Sequence, residues 1–388
     1  MRNLNNDGSM RKNNVRGRYE FRITYKDPVT NESRRKMFTS TKTAKEAKQK
    51  AYNFLEQLKQ TALNKDKISF GDWLVKWLKV YKENTLKPKT LERYWGYVKN
   101  YIAPFDIGTV DITQLSTVLL QEHFNMLLNK GGMNNNGIAP RTVNSVRRLI
   151  MSALDEAVEE ELITKNPASR TRPMAISKSE MMVLTHEEGQ KLIKSALKHD
   201  RISWIIIQIA LGTGMRIGEI FGLEWKNVDI NRRTIKVEKT VVTTRHGILV
   251  QNGGKTRASQ RTIPIPESIC RSLERYRLWQ KVRAIRFGYN YLSSPWVLSN
   301  PDGVNPRSPN SFSAHAFKDI LVDAGISNKF RIHDMRHTHA TWLLAADVNV
   351  KVVSERLGHS NIRITLDTYA HVLGTMQEKA VEALSNII

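Results

Sequence analysis

Near the start of the chain Tyr19, Phe21, Ile23 and Tyr25 alternate with Glu20, Arg22 and Thr24, the two-residue period of a strand with one buried face. Asp27, Pro28 and Asn31 supply turn chemistry and Arg34 to Ser40 returns as a partner strand, so the pattern predicts a hairpin. Thr43 with Glu46 three residues on reads as a capping pair. Ala47, Ala51, Phe54, Leu55 and Leu58 give the helix behind it an apolar face for the sheet. Residues 1–64 therefore form a small sheet-plus-helix domain.

The period then changes. Phe70, Trp73, Leu74, Trp77, Leu78 and Tyr81 fall at helical spacing, as do Leu119, Leu120, Phe124, Leu127 and Leu128. Gly131 to Gly137 is a loop, and Pro140 opens a helix bearing Val143, Val146, Ile150, Leu154 and Ala157. Asn166 and Pro167 stop it, so 67–172 is an all-helical domain, and Ala168 to Ser179 has the charge and proline of an exposed linker.

Residues 173–388 read as a mainly helical domain with a small antiparallel sheet, which makes the whole a multidomain α+β protein. Thr185 and Glu188 form a capping box, Trp204 to Leu211 is a buried helix, and Gly212 and Gly214 break it before Met215 to Leu223. Arg216 sits at that break with Glu219 beside it. Thr234 to Val242, Ile248 to Gln251 and Arg261 to Ile265 read as strands, the last two joined by a turn across Asn252, Gly253 and Gly254 from which Lys255 projects. The GGKT there lacks the full GxxxxGK[ST] pattern, which excludes a phosphate-binding nucleotide loop.

Phe330 to His371 holds most of the candidate chemistry. His333 and Arg336, three apart, share one helical face above the apolar Ala340, Leu343 and Leu344. Asp347 and Asn349 mark a turn, Val350, Val353 and Leu357 start a second amphipathic run, and Gly358 ends it. His359 and Tyr369 follow. Two imidazoles, a fixed positive charge and a phenol are the parts of an acid/base and nucleophilic site. His333, His337 and His339 lack a matching carboxylate or thiolate for zinc.

A formal net charge of +24 points to a polyanion, with nucleic acid the leading partner. On the sheet domain the candidates for DNA contact are Arg16, Arg18, Arg22, Arg34, Arg35 and Lys36, and on the helical domain Lys87, Lys89, Arg93, Arg141, Arg147 and Arg148. No stretch approaches the roughly 18 apolar residues of a membrane helix, and the opening MRNLNNDGSMRKN has no signal-peptide core. Cys270 is the only cysteine, which excludes an internal disulfide and fits a reducing, cytoplasmic setting.

Taken in order, TGMRIGEI, GGKTRASQRTIPI, HDMRHTHAT, LGHSNI and DTYAH resemble the tyrosine recombinases, the phage-integrase family of site-specific DNA recombinases. The resemblance spans about half the chain, and it implies that the preceding units are core-binding and arm-binding DNA domains. It implies catalytic roles for Arg216, Lys255, His333, Arg336, His359 and Tyr369 with Glu219 in support, Lys239 being the alternative to Lys255. Two always-charged guanidiniums suit a phosphodiester, and a phenol needs a proton acceptor such as His333. The family reaction gives a 3′-phosphotyrosine and a free 5′-hydroxyl, with no metal, ATP or other cofactor. Its implied partners are core-type and arm-type attachment sites, three further copies in a tetramer on DNA, and, left open, an excisionase and a host DNA-bending protein. The amphipathic tail with Val372, Met376, Ala380, Val381, Leu384 and Ile388 either caps its own domain or docks on a neighbouring subunit. The layout favours an integrase of a phage or transposon. A type IB topoisomerase and a silent DNA-binding regulator on the same scaffold are the alternatives.

Overall fold

The computed structural model describes residues 9–13, 17–26, 33–63, 67–132, 135–177, 181–253, 260–287, 293–373 and 384–385. Two compact units result, Met1–Thr85 with Tyr94–Ile176, and Leu86–Arg93 with Ser177–Ile388. Arg16, Lys255 and most of the tail beyond Leu373 lie outside the described residues.

In the first unit β1 (Ser9–Asn13), β2 (Arg18–Lys26) and β3 (Ser33–Ser40) form an antiparallel sheet in that order. The hairpin holds, and β1 adds an edge strand whose Ser-Met-Arg-Lys-Asn has too little alternation to announce itself. Helix α1 (Ala44–Leu63) covers the face bearing Phe21 and Ile23, burying Ala47 and Ala51, with Tyr25 and Phe38 packed on Phe54. Thr43 caps α1 by accepting the Glu46 N–H at 3.2 Å, while the Glu46 carboxylate turns to the Ser40 hydroxyl instead of closing the box.

Register sorts the basic residues of this sheet. Arg22 pairs with Met37 and Thr24 with Arg35 on the open face, whereas Ile23 pairs with Lys36 and Tyr25 with Arg34 on the face that α1 covers. The Lys36 ammonium lies 3.9 Å from the Phe54 ring centroid, a cation–π contact that keeps it on the helix side. Arg18 bonds Glu20 at 3.2 Å. Among the candidate DNA contacts, Arg22 and Arg35 therefore share the open face, and Arg34 and Lys36 stand on the opposite one.

Four helices follow, α2 (Phe70–Trp77), α3 (Pro88–Tyr101), α4 (Thr117–Lys130) and α5 (Pro140–Glu159). Phe70, Trp73, Leu74, Trp77, Leu120, Phe124, Val143, Val146 and Ile150 are buried as their spacing predicts. Tyr81 instead reaches outward to Glu160. The stretch after Asn166 is not a free linker. Ala168 and Thr171 are buried, Asn144 bonds the Met174 backbone twice, and the Arg147 guanidinium grips the Thr171 hydroxyl and carbonyl at 2.8 and 2.6 Å. Arg147 thus braces that turn through Nε and Nη2. Arg141 and Arg148 are exposed, as are Lys87, Lys89 and Arg93.

The second unit is built on α6 (His186–His199) and α7 (Arg201–Thr213). Thr185 and Glu188 exchange the two hydrogen bonds of a capping box, worth about 1 kcal/mol. Helix α7 is apolar around its whole circumference, and Ile205, Ile206, Ile207 and Ile209 are all buried. After α8 (Ile217–Phe221) come β4 (Val228–Asp229), β5 (Thr234–Val237), β6 (Lys239–Thr244), β7 (Gly247–Asn252) and β8 (Arg261–Pro264). One stretch expected as a single strand is two, β5 and β6. The expected pairing is also corrected: β7 pairs with β6, and β8 with β5. Helices α9 (Glu267–Phe287), α10 (Phe317–Asp323), α11 (Ile332–Ala345), α12 (Val350–Leu357) and α13 (Ile362–Leu373) complete the unit. No helix among the described residues is long and apolar enough to cross a membrane.

Candidate functional site

Helix α7 ends at Gly214 in the left-handed conformation, φ 67°, and a Cβ there would stand 2.6 Å from the His339 ring. That turn projects Arg216 at the start of α8. Glu219, one turn on, accepts the Arg216 backbone N–H at 3.0 Å and its Nη1 at 2.9 Å. Burial pushes the Glu219 carboxyl up, but hydrogen bonds and charge from Arg261 and then Arg216 outweigh it and hold the group below its ordinary pKa. Glu219 is thus ionised and aims Arg216, as the three-residue spacing predicts.

Helix α11 brings in Arg336, 3% exposed. Its Nη1 donates to the Gly214 carbonyl at 2.8 Å and its Nη2 to the Leu357 carbonyl at 2.7 Å. Arg216 Nη2 donates to the next carbonyl, Gly358, at 3.4 Å. The two guanidiniums therefore converge on adjacent peptide groups at the end of α12, where Gly358 turns left-handed at φ 68° and delivers His359. Burial, then the charge of Arg216, lowers the Arg336 pKa to about 9, which leaves it charged at neutral pH.

Three imidazoles border these arginines. His333, on the exposed face of α11, and His359 are each pulled to a pKa of about 4 by desolvation and then by nearby positive charge, from His337, Arg336 and Arg216 for His333 and from Arg336, Arg216 and Arg261 for His359. The His359 Nδ1 and the Thr365 hydroxyl are bonded at 2.8 Å. Burial also lowers His337. All three rings are neutral at pH 7, able to accept a proton or a hydrogen bond.

Tyr369 is 1% exposed, on α13, where its own φ and ψ of −115° and 20° break the helix. Its hydroxyl meets His337 Nδ1 at 2.9 Å, and His333 packs edge-on against His337 with ring centroids 4.9 Å apart. The imidazole touching the phenol is therefore His337, one helical turn beyond the expected His333. Burial raises the phenol to about 12, with Arg336 opposing.

Several further groups complete the site. Arg261 bonds both Glu219 oxygens and the Arg356 carbonyl. Arg356 donates to His339 Nε2 and to the carbonyls of Pro264 and Gly212. The available signal was a polar residue inside an apolar period: His339 directly before Ala340, and Arg356 between Val353 and Leu357. Lys239, the alternative to Lys255, has its ammonium bonded to Glu224 at 3.0 Å and set 5.2 Å from the Trp296 centroid.

Two guanidiniums meeting at one point, neutral imidazoles around them and a phenol in hydrogen-bond contact define a phosphoryl-transfer domain of the tyrosine-nucleophile kind. The phage integrase family pattern matches residues 182–375, and its N-terminal SAM-like domain matches residues 69–128. A XerC-like tyrosine recombinase of Caldanaerobacter subterraneus is 30% identical over 89% of this chain and 90% of its own length. The ICEBs1 integrase of Bacillus subtilis is 26% identical over 65% of this chain and 67% of its own. Among solved structures, the Tn1549 transposon integrase in complex with circular intermediate DNA aligns with a TM-score of 0.67 at 21% identity, covering 82% of this chain and 99% of that one. A lambda integrase tetramer bound to a Holliday junction aligns at 0.58 and 18%, covering 95% and 96%. The chain belongs to the phage integrase family of tyrosine recombinases, enzymes that break and rejoin DNA strands.

Proposed function

We propose that this recombinase integrates and excises a mobile genetic element, a phage or transposon, at paired attachment sites. The observation that supports it most is the convergence of Arg216 and Arg336 on the adjacent carbonyls of Gly358 and Leu357, beside His359. A scissile phosphate seated there would take both planar guanidiniums on its nonbridging oxygens as charge develops. Tyr369 then attacks phosphorus: its O–H proton passes to an imidazole, His333 or the contacting His337, a tyrosyl O–P bond forms and the P–O5′ bond breaks. Lys255 gives its proton to the departing 5′-oxygen, His359 hydrogen-bonds a phosphate oxygen, and Glu219 keeps Arg216 aimed. Reversal by another strand's 5′-hydroxyl needs no ATP, because the phosphotyrosine conserves the ester bond.

The phenol is buried, so attack calls for α13 to shift and turn it toward the seated phosphate within reach of an imidazole. The sheet and helical domains at 1–64 and 67–172 bind arm-type and core-type DNA, the working unit is a homotetramer on DNA, and the reaction takes place in the cytoplasm. An excisionase and a host bending protein fit the same scheme.

A duplex nicked beside the scissile phosphate tests the reading. A covalent protein–DNA adduct, lost in Tyr369→Phe, is expected together with recombinants from paired sites. Absence of any adduct supports a silent regulator, and plasmid relaxation without paired sites and without recombinants supports a topoisomerase.

A further inference from the structure

Arg261 lies outside the set of groups placed on the phosphate, yet it is the more enclosed of the two arginines bonded to Glu219. The side chains of Arg261 and Glu219 are 8% and 7% exposed, while that of Arg216 is 41% exposed. Arg261 opens β8, where it pairs with the buried Val237, and two pairs along the buried Ile235 and Ile263 face each other. Its root is therefore fixed by a sheet.

Its guanidinium works in two directions. Nη2 donates to Glu219 Oε2 at 2.9 Å and Nη1 to Oε1 at 3.3 Å, the same two oxygens that receive the Arg216 backbone N–H and Nη1. Nε donates to the Arg356 carbonyl at 2.7 Å, in the peptide unit directly preceding the Leu357 and Gly358 carbonyls that receive Arg336 and Arg216. One planar fork thus fixes both the carboxylate behind Arg216 and the chain that carries the acceptors of both arginines. A lysine's compact ammonium lacks the planar fork that holds two carboxylate oxygens and a carbonyl in fixed directions.

We propose that Arg261 is a positioning residue for the phosphate clamp, acting through Glu219 on Arg216 and through the Arg356 peptide on the end of α12. The proposal rests on the reading that Arg216 neutralises the scissile phosphate. Without Arg261 the Glu219 carboxylate is free to swing and Arg216 loses its fixed direction, and a displacement near 1 Å in such a group slows reaction by about 10²-fold.

The test is first-turnover cleavage by the full-length protein at saturating concentration on the nicked duplex, with either an ordinary scissile phosphodiester or a neutral methylphosphonate there. The methylphosphonate lacks the charge that Arg216 neutralises, so it separates a fault in the clamp from a general fault in the fold. Arg216→Lys comes first: a loss on phosphodiester that shrinks on methylphosphonate sustains the clamp reading, and wild-type cleavage overturns that reading whatever Arg261 does. With the clamp sustained, Arg261→Lys and Arg261→Gln are expected to slow phosphodiester cleavage about 10²-fold at unchanged affinity for core DNA, with most of the loss absent on methylphosphonate. Adding Arg261→Lys to Glu219→Gln is expected to cost little beyond Glu219→Gln alone. Wild-type rates in the Arg261 variants, equal losses on both substrates, or additive losses with Glu219→Gln overturn the proposal. Should Arg261→Gln fail to fold, Arg261→Lys, which retains the charge, decides.

Discussion

His339 is a strut that acid should remove. It is 5% exposed, with Nδ1 2.7 Å from the Leu211 carbonyl and Nε2 accepting from Arg356 Nε at 3.0 Å. Since Nε2 accepts, the proton must sit on Nδ1 and the ring must be neutral. Burial, followed by the Arg356 charge, lowers its pKa from 6.5 to about 4. The unfolded chain therefore takes up a proton between those values that the folded chain refuses. Stability from this group is fully present above pH 6.5 and drains away as pH falls through about 4. A shift of that size corresponds to roughly 3 kcal/mol across the window. His339→Gln places a non-titrating donor and acceptor in the same space, so it should flatten the acid slope by about that amount, with some loss of stability at pH 8. Because the chain holds more than one compact unit, a single melting midpoint is ill-defined. Hydrogen exchange of peptides from α7 and α11, corrected for its intrinsic pH dependence, reads the local opening free energy directly. His333 and His359 contribute acid slope of the same sign in both proteins, so the quantity that matters is the difference. Parallel pH profiles for wild type and His339→Gln would refute the reasoning.

Three more outcomes follow from the geometry. Tyr369 should resist nitration by tetranitromethane in the free protein and become reactive in His337→Ala, since losing one hydrogen bond of about 1 kcal/mol shifts an open–closed equilibrium about fivefold; equal labelling of both proteins would rule out His337 as the latch. Arg22→Ala and Arg35→Ala should each weaken binding to arm-type DNA and lower its salt slope by about 1, while Lys36→Met leaves both intact; a Lys36 effect as large as theirs would show the face assignment to be mistaken. Lys255→Ala should cleave slowly on ordinary DNA and regain its rate where the leaving oxygen is replaced by sulfur, which departs without a proton; no recovery there would argue against proton donation by Lys255.

The parts of this fold that were legible in the sequence are those set by local periodicity and local stops. The alternation from Tyr19 to Tyr25 is β2, the Phe70 to Trp77 spacing is α2, and the glycines at 214 and 358 end helices in the left-handed turn that favours glycine. What escaped depends on partners far along the chain. Edge strand β1 exists because β2 offers it hydrogen bonds, and β7 turns back on β6 because β5 takes β8. The Arg-rich α9 buries Ile269, Leu273, Tyr276 and Gln280 beneath a charged exterior that obscures the period. At the site, the spacing of His333 and Arg336 placed both groups on α11 correctly, but which imidazole reaches Tyr369 is settled by the packing of α13, and that selects His337. Arg261 is equally invisible locally, because its acceptors lie on α8 and α12.

The charges of this site make sense only as half of a pair. Arg216, Arg261, Arg336 and Arg356 gather around two helix ends, and the ion pairs among the described residues give them a single carboxylate, Glu219, which serves Arg216 and Arg261. Arg336 and Arg356 are held instead by backbone carbonyls and by His339. Carbonyl dipoles satisfy the N–H groups but supply no net negative charge, so the cations repel one another. Burial first, and then that repulsion, lowers the pKa of Arg336, to which Arg216 and Arg261 contribute, and keeps His333 and His359 neutral. In the proposed reaction neutral imidazoles serve as proton acceptors and hydrogen-bond partners, and burial together with the arginines that would meet the phosphate keeps them neutral. An anionic diester entering the site would relieve the repulsion, and the charge that grows on its oxygens in the transition state would relieve it further. Binding and catalysis therefore draw on one electrostatic imbalance, and substituting any one of these arginines should weaken the transition state more than the ground state.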